Sequence, residues 1–152
     1  MAPYLYSTLF ILALVILCFL RPNAGRIALG FLFLAAALVV NGFFISTNPQ
    51  GYDAYLSEAY LPLYRELTAR TVAVHPVFYG LLLMAFEIAM GLLLLNKGVY
   101  VKIGLVGTMI FLIALAPVHT IQLPWLGLLI GQIYLLTKDF DRTFLEMVRR
   151  KR

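Results

Sequence analysis

Five stretches of this chain stay apolar long enough to be membrane helices, and that constrains its fold more than any other feature. Residues 3–20 carry no charge. Residues 27–45 hold Asn41 as the one strongly polar side chain, and residues 77–95 hold a single carboxylate, Glu87. Residues 103–118 are charge-free, in a helix expected from about 101 with Lys102 at its edge, and residues 121–137 contain Gln122 and Gln132. A helix needs about 20 residues to cross the hydrocarbon core, and about 17 suffice. The first three runs meet that length, the fourth is marginal and the fifth needs independent support. Pro124 is compatible with the fifth as a proline in a first helical turn. Only 12% of the residues are charged and 62% are hydrophobic, whereas soluble domains carry about 25% charged residues. Too few polar groups exist to cover a water-facing surface, so lipid is the expected solvent for a single domain of 152 residues.

The basic residues support five crossings. With five spans, one side of the membrane receives Arg21, Arg26, Lys97, Lys102, Lys138, Arg142, Arg149, Arg150, Lys151 and Arg152; the other receives only Arg65 and Arg70. Ten against two is a positive-inside bias. It places the N-terminus outside and the C-terminus in the cytoplasm, in what is expected to be a prokaryotic cytoplasmic membrane. The net charge of +5 is then topological, and no nucleic-acid partner is expected. Residues 1–8 lack the positive charge of a signal peptide, so the first run is expected to be retained as a helix.

Residues 47–76 form the one long connection, on the outer side. Tyr52, Tyr55, Leu56, Ala59, Tyr60, Leu63 and Leu67 recur at helical spacing, which predicts an amphipathic helix lying at the interface, where tyrosine is favoured. In the basic tail, 138–152, Phe140, Phe144 and Val148 stand four apart, which predicts a helix held on the anionic cytoplasmic leaflet.

Glu87 is the most informative single residue. About ten residues from either end of its run, it lies roughly 15 Å deep. A carboxylate there costs on the order of 3 kcal/mol, and such residues face the bundle interior. No Lys or Arg shares that depth, so a neutral, hydrogen-bonding Glu87 is expected. Gln132 falls at nearly the same level in the fifth run and is the expected partner, with Ala35, Ala36 and Ala37 facing them from the second. The pair either ties the bundle together or serves a ligand head group or a proton relay. His75 and His119 both fall at the outer boundary. They are read as interfacial, because two histidines do not complete a metal site and no spacing of metal ligands accompanies them. Cys18 is the only cysteine, which excludes an intrachain disulfide and a CxxC pair. Nucleotide-loop, serine-hydrolase and zinc-protease motifs are absent, so no catalytic residue is assigned. Gly127-x-x-x-Gly131 and the small residues Gly104, Gly107 and Thr108 read as packing faces.

Arg26-x-x-x-Gly30-x-x-Phe33, and then Glu87-Ile-Ala-Met-Gly91-Leu-Leu-Leu-Leu95 followed by a short basic turn and another apolar run, resemble the DoxX-like membrane proteins over about residues 26–137. The resemblance implies an all-α membrane bundle with a four-helix core, to which the first run adds an N-terminal helix. In some members it implies association with redox enzymes or quinone-linked sulfur oxidation. Ala37 and Asn41 stand where members often carry Gly and then Lys. Two functions follow as expectations. One is a non-catalytic subunit or anchor packed among other membrane subunits, of a respiratory or redox complex. The other is binding of a quinone, lipid or other apolar molecule around Glu87, Gln132 and Asn41, with His75 and His119 at the outer rim. No cofactor is assigned.

Overall fold

The computed structural model describes residues 2–118 and 120–149, with side chains described for 5–52, 56–118 and 122–149. The described residues are helical with no strand. Helix α1 spans Ala2–Leu20. After Arg21 alone, α2 runs Pro22–Thr47, with Pro22 in the first turn, where its missing N–H costs nothing. Gly25 makes this tight reversal feasible: a Cβ there would sit 2.6 Å from the Cα of Cys18. Two short helices follow, α3 (Gly51–Ser57) and α4 (Pro62–Arg70), then α5 (Pro76–Leu95) and α6 (Val99–Leu115). A 3-10 segment, Thr120–Gly127, leads into α7 (Leu128–Leu136), and α8 covers Phe144–Arg149. By length and composition, Pro22–Thr47 and Pro76–Leu95 can each cross a membrane, whereas Leu5–Leu20, Val99–Leu115 and Gln122–Leu136 are apolar but shorter.

The helices pack around fully buried Leu29, Leu94, Val101, Leu105, Leu128 and Leu135. Helices α2 and α5 lie antiparallel with backbones nearly touching, since a Cβ on Gly91 would meet the Gly30 carbonyl oxygen at 2.9 Å. The small-residue faces are consumed inside the chain. Gly104 abuts Leu93 and Leu94, Gly107 abuts Met90, Gly127 abuts Ile11, and Gly131 abuts Cys18.

Most basic residues gather at one end of the bundle. Arg26, wholly buried, donates to the carbonyls of Leu94 (3.0 Å) and Asn96 at the end of α5, to Arg142 O (2.5 Å) and to Asn23 Oδ1 (3.1 Å). Its guanidinium lies 4.8 Å from the Phe140 ring centroid. Gly98 N–H donates to Phe140 O at 2.7 Å, and Lys97 and Lys102 pair with Glu146 and Asp139. The opposite end carries α3 and α4, where Tyr60 N–H donates to Pro117 O at 3.0 Å.

Several boundaries differ from the sequence expectation. The helix expected at 27–45 begins five residues earlier, because the N–H groups of Arg26 are satisfied by carbonyls within the fold and the residue does not end the segment. The single amphipathic helix expected within 47–76 is two helices. Pro62 has no N–H to continue the first, and Leu61 before it is extended (φ −85°, ψ 123°). In the span expected at 121–137, Pro124 is the fourth residue and the first half takes 3-10 form. The tail is not one helix from 138. Phe140 is buried beneath Arg26, and α8 starts only after Thr143, whose Oγ1 accepts from Glu146 N–H (3.2 Å) while Thr143 N–H donates to Glu146 Oε2 (3.0 Å). That reciprocal pair is a capping box, and the Lys97 ammonium beside it holds the Glu146 carboxyl below the usual carboxylate range. Residues 150–152 of the basic cluster lie outside the described residues.

Candidate ligand-binding site

The site begins with a change of helical pitch. Along α2, Phe33, Ala37 and Asn41 are all buried at intervals of four, wider than the 3.6 of an α-helix. A π-helical turn over Ala36–Asn41 absorbs the drift and keeps the three on the inner face, while Val39 and Val40 stay exposed. Such wide turns recur at functional sites.

Asn41 thereby meets Glu87. Its Nδ2 donates to Glu87 Oε2 at 2.5 Å, and its Oδ1 accepts from the Tyr52 hydroxyl at 2.8 Å. The three side chains come from α2, α5 and α3. Long side chains lean toward the N-terminus of their own helix, so in antiparallel α2 and α5 Asn41 and Glu87 lean toward each other along the axis. Glycine makes room for the third member, because a Cβ on Gly80 would fall 2.8 Å from the Tyr52 ring. Burial above all pushes the Tyr52 phenol above its ordinary value, so it keeps its proton and serves as a donor.

This chain of hydrogen bonds lies in the wall of a cavity of about 630 Å³. Leu32, Ala35, Ala36, Leu83, Leu112 and Leu128 supply apolar lining, and Phe33, Phe44, Tyr52, Phe111 and Trp125 supply rings. The volume falls within the range of small-molecule sites, about 300–1,000 Å³, and an apolar cavity with a few convergent polar groups is their usual form. Glu87 is 4% exposed, and Gln122 is a further polar residue of the lining.

No family model, curated protein or solved structure matches the chain. Its chemistry is therefore read from the site itself.

Of the residues singled out in the sequence, the structure brings Asn41 and Glu87 together and places Ala35 and Ala36 beside them. The pairing of Glu87 with Gln132 does not form. Gln132 is fully buried, and neither of its amide atoms has a partner among the described residues. It shares the inner face of α7 with Gly131, which packs on Cys18 of α1. His75 precedes α5 as its N-cap residue, is exposed, and makes no capping hydrogen bond. His119 lies outside the described residues. No group of three or more His, Cys, Asp or Glu side chains that would hold a metal occurs among the described residues. Tyr52 is the residue that sequence reasoning assigned elsewhere, to the interface. A tyrosine at the second position of a short helix, opposite a glycine near the start of an apolar helix, was the available signal.

Proposed function

We propose that this chain is an integral membrane protein of five spans that binds an apolar small molecule, anchored by a polar head, in the cavity beside Glu87. The observation that carries this reading is the Tyr52–Asn41–Glu87 hydrogen-bond chain set into an otherwise apolar cavity. A carboxyl group that deep has a substantial insertion cost, and such residues mark ligand or ion sites by default.

Membrane residence is supported by the outer surface. Leu9, Leu12 and Ile16 on α1, Leu81, Leu82 and Leu92 on α5, Ile103, Ile110 and Ile113 on α6, and Ile130 and Ile133 on α7 are all exposed. So continuous an apolar surface requires lipid or another protein. In this reading the shorter helices α1, α6 and α7 cross with α2 and α5, the basic end faces the cytoplasm, and α3 and α4 lie outside. A DoxX-like core would comprise α2, α5, α6 and α7, with α1 added. The exposed apolar faces also leave room for neighbouring membrane subunits. Such a partner has less support than the ligand site, because the glycine faces that would receive another helix are filled by this chain's own side chains.

Filling the cavity tests the proposal. Ala36 lines it, and Ala36→Trp would occupy it with an indole. Protein purified in mild detergent and incubated with the lipid extract of its host should carry a small-molecule adduct in native mass spectrometry. The variant should insert and melt like the parent but lack the adduct. Equal adducts in both proteins, or none in either, would refute the proposal.

A further inference from the structure

The ligand's chemical class follows from what the cavity holds and what it lacks. Among the described residues Glu87 is the only acidic side chain in the lining, and no lysine, arginine or histidine accompanies it. Five aromatic residues surround the same space, and the rings of Phe33 and Phe111 stand 5.9 Å apart in an edge arrangement. Aromatic faces carry negative potential and attract organic cations, ammonium groups above all. A carboxyl and aromatic walls, with no basic side chain among the described lining residues, are together complementary to positive charge on an apolar body.

Resting on the cavity reading above, we infer that the site takes a lipophilic organic cation, a protonated or quaternary amine or its equivalent, which exchanges with a proton on Glu87. When the cavity is empty, no cation faces the carboxyl, and it holds its proton. On binding, the O–H bond of Glu87 breaks, the proton passes to water, and the carboxylate pairs with the incoming cation, so the charge inside the cavity stays zero. Asn41 is the positioning residue. Its Nδ2–H holds Oε2 and directs Oε1 to the ligand, while the Tyr52 hydroxyl fixes the orientation of the amide.

The neighbouring groups leave Glu87 as the titrating site. On α2, Arg26 is committed to the carbonyls of Leu94, Asn96 and Arg142 at the far end. On α6, Lys102 pairs with Asp139 at that same end. From α3, Tyr52 is the other titratable side chain described at the cavity, and it remains a neutral donor.

Purified protein is titrated with tetraphenylphosphonium and, separately, with the neutral triphenylphosphine oxide, by calorimetry in buffers of different ionisation heat. The cation should bind with release of one proton, and its affinity should fall by about tenfold per unit of pH drop over the range in which Glu87 is protonated. Glu87→Gln keeps the bond from Asn41 and should weaken the cation at least about tenfold. The pH dependence of the unaltered protein stands even if that variant folds poorly. If the phosphine oxide binds as well as the cation, without proton release, the cation inference is overturned and the cavity remains. If neither probe binds, or Ala36→Trp binds both as the parent does, the cavity reading falls as well.

Discussion

Arg26 carries a full charge into the interior, and among the described residues no acid meets it. Carbonyls meet it instead, two of them at the end of α5, where the helix dipole concentrates negative potential. The planar fork of a guanidinium reaches several acceptors at once, which an ammonium cannot. Arg26→Met removes those bonds and leaves the carbonyls of Leu94, Asn96 and Arg142 without the donor. Loss of one side of a buried charged network costs about 3 kcal/mol or more. A lower midpoint in thermal unfolding is expected, with faster proteolysis within residues 138–149, and Arg26→Lys should restore little of either. These contacts were not legible in the sequence, where Arg26 counts as a positive charge beside an apolar run and as the first residue of a family-like motif. Asn41 and Glu87 were legible as lone polar groups in apolar runs, but their pairing was not. Counting depth by Cα position matched Glu87 with Gln132, because such a count ignores the opposite lean of side chains on antiparallel helices. Tyr52 was read as interfacial because nothing local distinguishes it from Tyr60, which is exposed.

At the level of elements, runs of apolar residues located helices well wherever nothing interrupted them, as in Pro76–Leu95 against the expected 77–95. Interruptions misled in both directions. A buried arginine shortened the expected α2, and Pro124 was accommodated in 3-10 form and not in an α-helical turn. The π turn was invisible, since it answers to contacts with α5 and not to propensity. The crossing of α2 on α5 is the most demanding contact, because Gly30 and Gly91 face each other across it. Gly91→Leu would bring a Cβ within 2.7 Å of Leu34 Cγ and 2.9 Å of a backbone oxygen, and the backbone has nowhere to retreat. Overpacking of this kind costs about 1–3 kcal/mol. The variant is expected to melt earlier and, because the crossing sets the spacing of Asn41 and Glu87, to lose ligand affinity as well. Unchanged affinity in a destabilised variant would show that the site tolerates a shifted crossing.

For the whole molecule, the geometry divides into two ends that differ in charge. One is held together by arginine, lysine and carbonyl contacts; the other carries the tyrosine-bearing short helices. The sorting of basic residues anticipated that division from sequence alone, since charge placement depends on crossings and not on side-chain detail. The five-span reading makes a sharp prediction for single-cysteine proteins. With Cys18 replaced by Ala, a cysteine at Ser57 should react with a membrane-impermeant maleimide from the outside of intact cells. A cysteine at Arg142 should react only after the membrane is opened. Reaction of both from outside would require an even number of crossings between them and would remove the proposed sidedness. The clamp at the basic end also bears on how the protein is made. Arg26 is joined to the carbonyl of a residue 116 positions later, so during synthesis its guanidinium emerges long before that acceptor exists. Until translation reaches Arg142 the guanidinium lacks one of its carbonyl acceptors, and the basic end of the bundle closes only when that last segment arrives.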